Sequence, residues 1–370
     1  MLDLHDLFVS APHGCWGQQI PRQVRLSSES RGRWIAALFL AILMLIPIQG
    51  CRKTEQPVVV IYTALDRMFS EPILDEFERT TGIRVLAKYD TEATKTVGLV
   101  NAIRSEKDRP RCDVFWNNEV VNTIRLKDEG LLELYRPQAA DVFPDEFRDP
   151  SGYWSGFAAR ARVLIVNTNL VAHGEEPNSI HDLADPRWKG MTGIAKPLFG
   201  TTATHAACLF AELGREEAEM FFRGLKENEV RVESGNKSVA LSVTAGRLAF
   251  GLTDTDDAII ELESGQPVRI VYPDCAPGEL GVLFIPNTLA LIKDAPHPEA
   301  GKKLIEYLLS PEVESKLAEA KSAQIPLNPK VKVKSRVKTP AEVNAMNVDF
   351  SQAATKFAET AVYIEKFFLE

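Results

Sequence analysis

Three short clusters in this sequence carry the groups a binding site needs. Thr253-Asp254-Thr255-Asp256-Asp257 packs three carboxylates into four positions. Hard cations take oxygen ligands, so this loop could hold a divalent or trivalent metal, and it could equally accept hydrogen bonds from hydroxyls or an ammonium group. The same residues also read as an acidic helix start, with Asp254 or Thr255 as N-cap and the next acids complementing the dipole. Gly200-Thr201-Thr202 opens a predicted helix, where free N–H groups and two hydroxyls suit a phosphate, carboxylate or carbonate. Plain capping asks for the same residues. Asn236-Lys237-Ser238 precedes another helix and adds a donor and a positive charge, although a lysine there is often just solvated.

Motifs for covalent or metal-dependent catalysis are missing: the sequence has no G-x-x-x-x-G-K-[ST], no H-E-x-x-H and no G-x-S-x-G. Ser234-Gly235-Asn236-Lys237 and Ser335-Arg336-Val337-Lys338 both match S-x-x-K, and neither has the companion S-D-N or K-T-G. His173, His181, His205 and His297 lack metal-ligand spacing. Binding rather than turnover is therefore expected.

The elements that must position these clusters alternate between strand and helix patterns. Val58 to Tyr62 is a β-branched run, Glu71 to Thr81 is amphipathic at helical spacing and Gly82 is its expected stop. A strand at Arg84–Tyr89, a helix at 93–105, a strand at Cys112–Trp116 and a helix at 119–129 ending at Gly130 follow. Arg162 to Asn167 reads as a strand leaving this first unit, and a second α/β series runs from Met191 to Tyr272. Gly281–Ile285 and Thr288–Ile292 are two strand-like pieces that cross back. Helices are expected at 298–309, 311–320 and 351–368, with Lys330–Lys338 a basic β-like run at the surface or in a linker. Strands alternating with helices through short loops call for α/β lobes with mostly parallel sheets flanked by helices. In such sheets ligands bind outside the carboxyl ends of the strands. Those ends supply the three clusters together with Tyr62, Thr63 and Asp66, Glu92, and Asn118 and Glu119.

Composition agrees with a folded, soluble body: 45% of the 370 residues are hydrophobic and 25% charged. A formal charge of −8 argues against nucleic acid as the main partner, because counterion release needs a basic surface. Arg22, Arg25, Arg31 and Arg33 precede a 13-residue apolar run, Trp34 to Ile46. A spanning helix needs about 20 such residues and a secretory signal about 7–15, so residues 1–50 read as an export signal. The run ends at Pro47-Ile48-Gln49-Gly50-Cys51, which resembles a bacterial lipobox with Cys51 as the lipidated residue. Gln49 departs from the small or branched residue usual there, leaving ordinary cleavage near Cys51 or retention as a short anchor as alternatives. Past the signal the chain carries a net −9, and Cys112, Cys208 and Cys275 lack C-x-x-C spacing, so buried inert thiols are expected.

Several segments in order resemble the ferric-ion-binding proteins of bacterial ABC importers. They are Tyr62-Thr63-Ala64, Ile73-Leu74-Asp75-Glu76-Phe77-Glu78 with Thr81-Gly82-Ile83, Cys112-Asp113-Val114-Phe115-Trp116, and Asp185-Pro186-Arg187-Trp188-Lys189-Gly190. Ile285-Pro286-Asn287-Thr288, Pro296-His297-Pro298-Glu299-Ala300 and Leu308-Leu309-Ser310-Pro311-Glu312 complete the set. The resemblance implies a type II periplasmic-binding-protein fold: two α/β lobes with ligand held in the cleft between them. It also implies that the Gly200–Thr202 loop holds the anion accompanying iron. The Tyr-Tyr pair whose phenolates ligate Fe(III) in that family is replaced by Asp256 and Asp257, the His of its first loop by Asp66, and its Glu after the third strand falls at Asn118 or Glu119.

The expectation is an exported substrate-binding subunit, a monomer tethered by lipid at Cys51 in the periplasm or on the outer face of the cell membrane, that delivers solute to a permease and ATPase. Fe(III) with a carbonate or phosphate is the first expected cargo, with Asp66, Asp256 and Asp257 as metal ligands. A phosphorylated or polyhydroxy organic solute is the alternative, as is a solute sensor of the same fold. No resident cofactor is expected. Residues 51–56 would form the tether, 57–157 and 158–280 the two lobes, and 281–370 the return strands and C-terminal helices packing on both.

Overall fold

A computed structural model describes residues 56–90 and 96–370. The export segment, Cys51 and Glu92 lie outside the described residues.

Strands β1 (Val58–Thr63), β2 (Arg84–Tyr89) and β3 (Val114–Asn117) pair in parallel with β1 in the middle. Helix α1 (Arg67–Thr81) connects β1 to β2 and stops at Gly82, whose φ of +70° is the left-handed cap that glycine adopts without cost. It begins four residues earlier than its periodicity suggests, with Pro72 inside rather than at its start. Helices α2 (Val97–Ser105) and α3 (Val121–Asp128) complete this half. In the other half β5 (Thr192–Ala195) pairs in parallel with β6 (Arg231–Glu233) and β7 (Phe250–Asp254). Around it lie α4 (Gly200–Glu212), α5 (Gly214–Glu227), α6 (Asn236–Thr244) and α7 (Thr255–Glu263).

The joining element is β4 (Ser155–Asn167), thirteen residues long and buried throughout. Its first part pairs antiparallel with β9 (Phe284–Leu291), which pairs in turn with β3. Its second part pairs antiparallel with β7 and β8 (Val268–Val271). The strand order is therefore β2-β1-β3-β9-β4-β7-β5-β6, parallel on the flanks and antiparallel along the crossing strands. The two strand-like pieces expected at 281–292 are one strand running through Pro286. Proline is tolerated there because β4 bulges opposite it: the register shifts between Phe157 and Arg160, so no ladder N–H is needed from residue 286. Lys330–Lys338 forms no strand, and Cys275 is exposed whereas Cys112 and Cys208 are buried.

Helices α8 (Pro298–Leu308), α9 (Pro311–Glu319) and α10 (Phe350–Tyr363) close the chain, α10 packing on both α3 and α4 and running into a π-turn at Ile364–Phe368. No helix among the described residues is long and apolar enough to cross a membrane.

The bulge is held by a buried carboxylate. Ala158, at φ +44°, donates its N–H to Glu314 Oε1 at 2.6 Å, and Leu327 and Asn328 donate theirs to the same carboxylate at 3.0 and 2.7 Å. Asn287 Nδ2 caps the Ala158 carbonyl and donates to Gln324 at 2.9 Å. Burial raises the Glu314 pKa against the opposing pull of the three N–H donors. Glu314→Ala would orphan three buried donors at about 1–3 kcal/mol each. A loss of at least about 3 kcal/mol in urea unfolding is expected; a loss under about 1 kcal/mol would show that the bulge does not depend on this carboxylate.

Candidate functional site

The strand ends meet at a cleft of about 190 Å³, and the amino ends of four helices line it. Leu65 to Phe69 begin α1, Gly200 to Thr202 begin α4, Ser234 to Lys237 begin α6 and Asp254 to Asp257 begin α7. None of the four has a side-chain cap, although each offers residues of capping type. At α4 and α6 the N-cap residues are Phe199 and Gly235, which have no group to cap with; at α7 the N-cap Asp254 is engaged from below the cleft floor, by β4.

Arg160 and Arg162 project from β4 two residues apart, hence on the same face, and both are buried. A buried guanidinium needs a partner for its charge and acceptors for its N–H groups. Arg162 Nη1 donates to Asp254 Oδ1 at 2.7 Å and to Asn236 Oδ1 at 3.0 Å, and Nη2 lies 3.3 Å from Thr202 Oγ1. Thr201 Oγ1 and Asn236 Nδ2 donate to Asp254 Oδ2 at 2.6 and 2.8 Å. The carboxylate and hydroxyls that a local reading assigns to capping are drawn instead into one buried network around Arg162. The positive dipole ends of α4, α6 and α7 converge on the cleft above this network.

Arg160 is held in the same manner. Its Nε donates to Asp256 Oδ2 at 3.0 Å and its Nη1 to the Asn118 carbonyl. Burial works against its charge more than any other effect. The carboxylates of Asp256, Asp254, Asp257 and Asp66 together outweigh that effect and raise its pKa.

Ten of the residues singled out from the sequence line the cleft: Asp66, Asn118, Gly200, Thr201, Thr202, Asn236, Lys237, Asp254, Asp256 and Asp257. Oxygens of Asp254, Asp256 and Asp257 lie within 4.8 Å of one another, close enough to converge on one cation. Three others face elsewhere. The Tyr62 hydroxyl donates to Glu106 at 2.9 Å, and burial with the Glu106 charge raises its pKa, both against a phenolate ligand; its ring lies 4.4 Å beneath Lys88 Nζ. Buried Thr63 accepts from Leu65 N at 3.2 Å. Glu119, fully buried, accepts from Asn117 Nδ2 at 2.8 Å and from Thr204 Oγ1 at 2.7 Å, so it ties α4 to the end of β3 rather than reaching ligand. Sequence reasoning missed Arg160 and Arg162, and also Lys196, Glu261 and Lys321 on the cleft wall. The first two had a signal: Ala159-Arg160-Ala161-Arg162 places two charges at strand spacing inside an apolar run.

The profile of the bacterial extracellular solute-binding proteins matches residues 119–353. The chain belongs to that family. This solute-binding protein is 26% identical over 295 residues to iron uptake protein A1 of Synechocystis, covering 75% of this chain and 79% of the relative. It is also 26% identical to a putative 2-aminoethylphosphonate-binding periplasmic protein of Salmonella typhi, covering 76% and 82%. Among solved structures it resembles iron-bound HitA of Pseudomonas aeruginosa, with TM-score 0.75, 24% identity, and 83% of this chain and 99% of that one covered. The periplasmic binding protein AfuA of Actinobacillus pleuropneumoniae, with fructose 6-phosphate bound, matches at TM-score 0.75 and 22% identity, covering 85% and 100%. These likenesses establish the two-lobed type II periplasmic-binding-protein fold.

His205, one turn into α4, is buried beside Arg162, whose Nε lies 3.5 Å from its Nδ1. Burial, reinforced by that guanidinium, holds its pKa well below 6.5. The unfolded chain takes up this proton near pH 6.5 and the native protein does not. The group's contribution to stability is therefore full above pH 6.5 and is lost as pH falls, by up to about 1.4 kcal/mol per unit. Urea unfolding between pH 7 and 5 should show a shallower decline for His205→Gln than for the unmodified protein; equal slopes would remove His205 from the acid response.

Proposed function

We propose that this chain is the exported substrate-binding component of an ABC importer. It captures an anionic organic solute, a phosphate or phosphonate that also bears hydroxyl or ammonium groups, and delivers it to a membrane permease driven by its ATPase. Binding works by shifting an open-to-closed equilibrium, which requires a ligand that touches both sides of the cleft. The tether at Cys51, a monomeric state and the absence of catalysis belong to the same proposal.

The observation that carries it is the convergence of uncapped helix starts with Lys196, Lys237 and Lys321 beside an acidic wall of Asp66, Asp256, Asp257 and Glu261. Positive helix ends and ammonium groups suit a phosphate or phosphonate; the carboxylates on the same cleft wall suit hydroxyls or an ammonium on the same molecule. The kinship with proteins named for 2-aminoethylphosphonate and crystallised with fructose 6-phosphate supports this class.

A second reading, Fe(III) with carbonate or phosphate, rests on the Asp254, Asp256 and Asp257 oxygens within 4.8 Å and on the relatives named for iron. Two of those three carboxylates are already paired with Arg162 and Arg160, whose charges oppose a trivalent cation. No tyrosine lines the cleft among the described residues.

Differential scanning fluorimetry separates the two. A bound ligand at a hundred times its Kd stabilises by about 2.7 kcal/mol. Fructose 6-phosphate or 2-aminoethylphosphonate should raise the melting temperature, and Lys237→Met or Asp257→Asn should reduce the shift by at least half. A shift given only by Fe(III) with carbonate or citrate, and abolished by Asp256→Ala and Asp257→Ala, would establish the metal as cargo instead.

A further inference from the structure

The basic run at residues 330–338 has no part in the fold's sheets, yet it is ordered against the body in a particular way. Lys330, Lys332, Lys334, Arg336 and Lys338 are exposed, while Val337 is buried and Val331 and Val333 are half-buried. The valines do the packing; Lys330, Lys332 and Lys334 are exposed to water, while Arg336 is engaged with the body and Lys338 Nζ lies 5.3 Å from the Tyr272 ring centre. Lys338 N donates to the Tyr272 hydroxyl at 2.8 Å, and Arg336 pairs with Glu263 at 2.6 Å. Glu342, held by Thr339, is close enough for Lys334 and Lys338 to act on its charge. Two carboxylates thus face five cations, and the run itself contains no acid, whereas a surface shaped for solubility alone mixes both signs.

Its position gives the run a use. Arg336 Nη2 also caps the carboxyl end of α9 through the carbonyls of Ala318 and Ala320, and the next residue, Lys321, lines the cleft. Glu263 stands on α7, whose Ile260 and Glu261 line the cleft as well. Arg336 thus anchors the strip beside the residue that precedes Lys321, which shares the cleft wall with Lys237 and Lys196. A mature body of net charge −9 repels an anion at long range, and screening confines each charge to about 10 Å, so the local sign at the mouth governs approach.

We propose that the exposed lysine strip at 330–338 is an electrostatic approach surface that steers anionic solute into the cleft; this rests on the anionic-solute reading above. Such steering acts on the association rate and leaves dissociation to the contacts inside the site.

The test is stopped-flow fluorescence of the mature protein with fructose 6-phosphate and 2-aminoethylphosphonate as probes, at low and high salt. A Lys330→Gln, Lys332→Gln, Lys334→Gln triple variant is compared with a triple at Lys107, Lys303 and Lys366, exposed lysines that line no part of the cleft and change the net charge equally. The strip variant should associate about tenfold more slowly at low salt, with the gap closing at about 0.5 M salt and with dissociation and melting temperature unchanged. The control should stay within about twofold of the unmodified protein. Equal association rates for strip variant and unmodified protein, or equal slowing of both triples, would overturn the steering role alone. Failure of both probes to bind the unmodified protein would overturn the anionic-solute reading and the steering role with it.

Discussion

A buried guanidinium cannot be left unanswered, and β4 carries two of them on one face. Arg162 with Asp254, and Arg160 with Asp256, form ion pairs at the floor of the cleft, with both guanidiniums and Asp254 buried and Asp256 partly exposed to the cleft. Removing either partner would strand a charge in the interior. Because Asp254 ends β7 while Asn236, Thr201 and Thr202 sit at the starts of α6 and α4, satisfying Arg162 gathers the tips of three helices around one point. The geometry of the site is largely a consequence of that requirement.

The same pairing decides the electrostatic character of the cleft. Three clustered carboxylates suggest a strong field for a metal, but the arginines behind them cancel much of it, and the lysines on the wall add the opposite sign. What results is a pocket in which neither sign dominates and both are presented. Ordinary caps would have silenced the helix ends. Asp254 at the start of α7 serves the buried network instead, and Phe199 and Gly235 at the starts of α4 and α6 have no group to cap with, so the helix dipoles remain directed at the space between.

Mechanically, the crossing strand is interrupted where it changes partners. Pro286 on one side and the Ala158 bulge on the other remove ladder bonds at the same level, and Glu314 accepts three N–H groups there, from Ala158 and from the adjacent Leu327 and Asn328. Ala159 also exchanges two backbone hydrogen bonds with Ile325, at 2.8 and 2.7 Å, so the bulge is tied to the segment that follows α9. Arg160 follows directly after the bulge, so a change in the crossing strand is felt first by a residue that contacts both Asn118 and Asp256.

Much of this was legible in the residues alone. Alternating strand and helix periods, and the glycine stops at Gly82 and Gly130, gave the α/β architecture because those signals depend on neighbours a few positions apart. The loops at the carboxyl ends of strands were identified for the same reason, and ten of their residues do meet at one cleft. What each polar group does there was not legible. Whether Asp254 caps a helix or answers an arginine depends on the register that brings Arg162 opposite it across β4 and β7. Whether Glu119 meets ligand or Thr204 depends on where α4 lies against β3. Local sequence determined which segments form the site; long-range pairing decided which charges in it are already satisfied, because a buried charge takes its partner from whatever the fold places beside it.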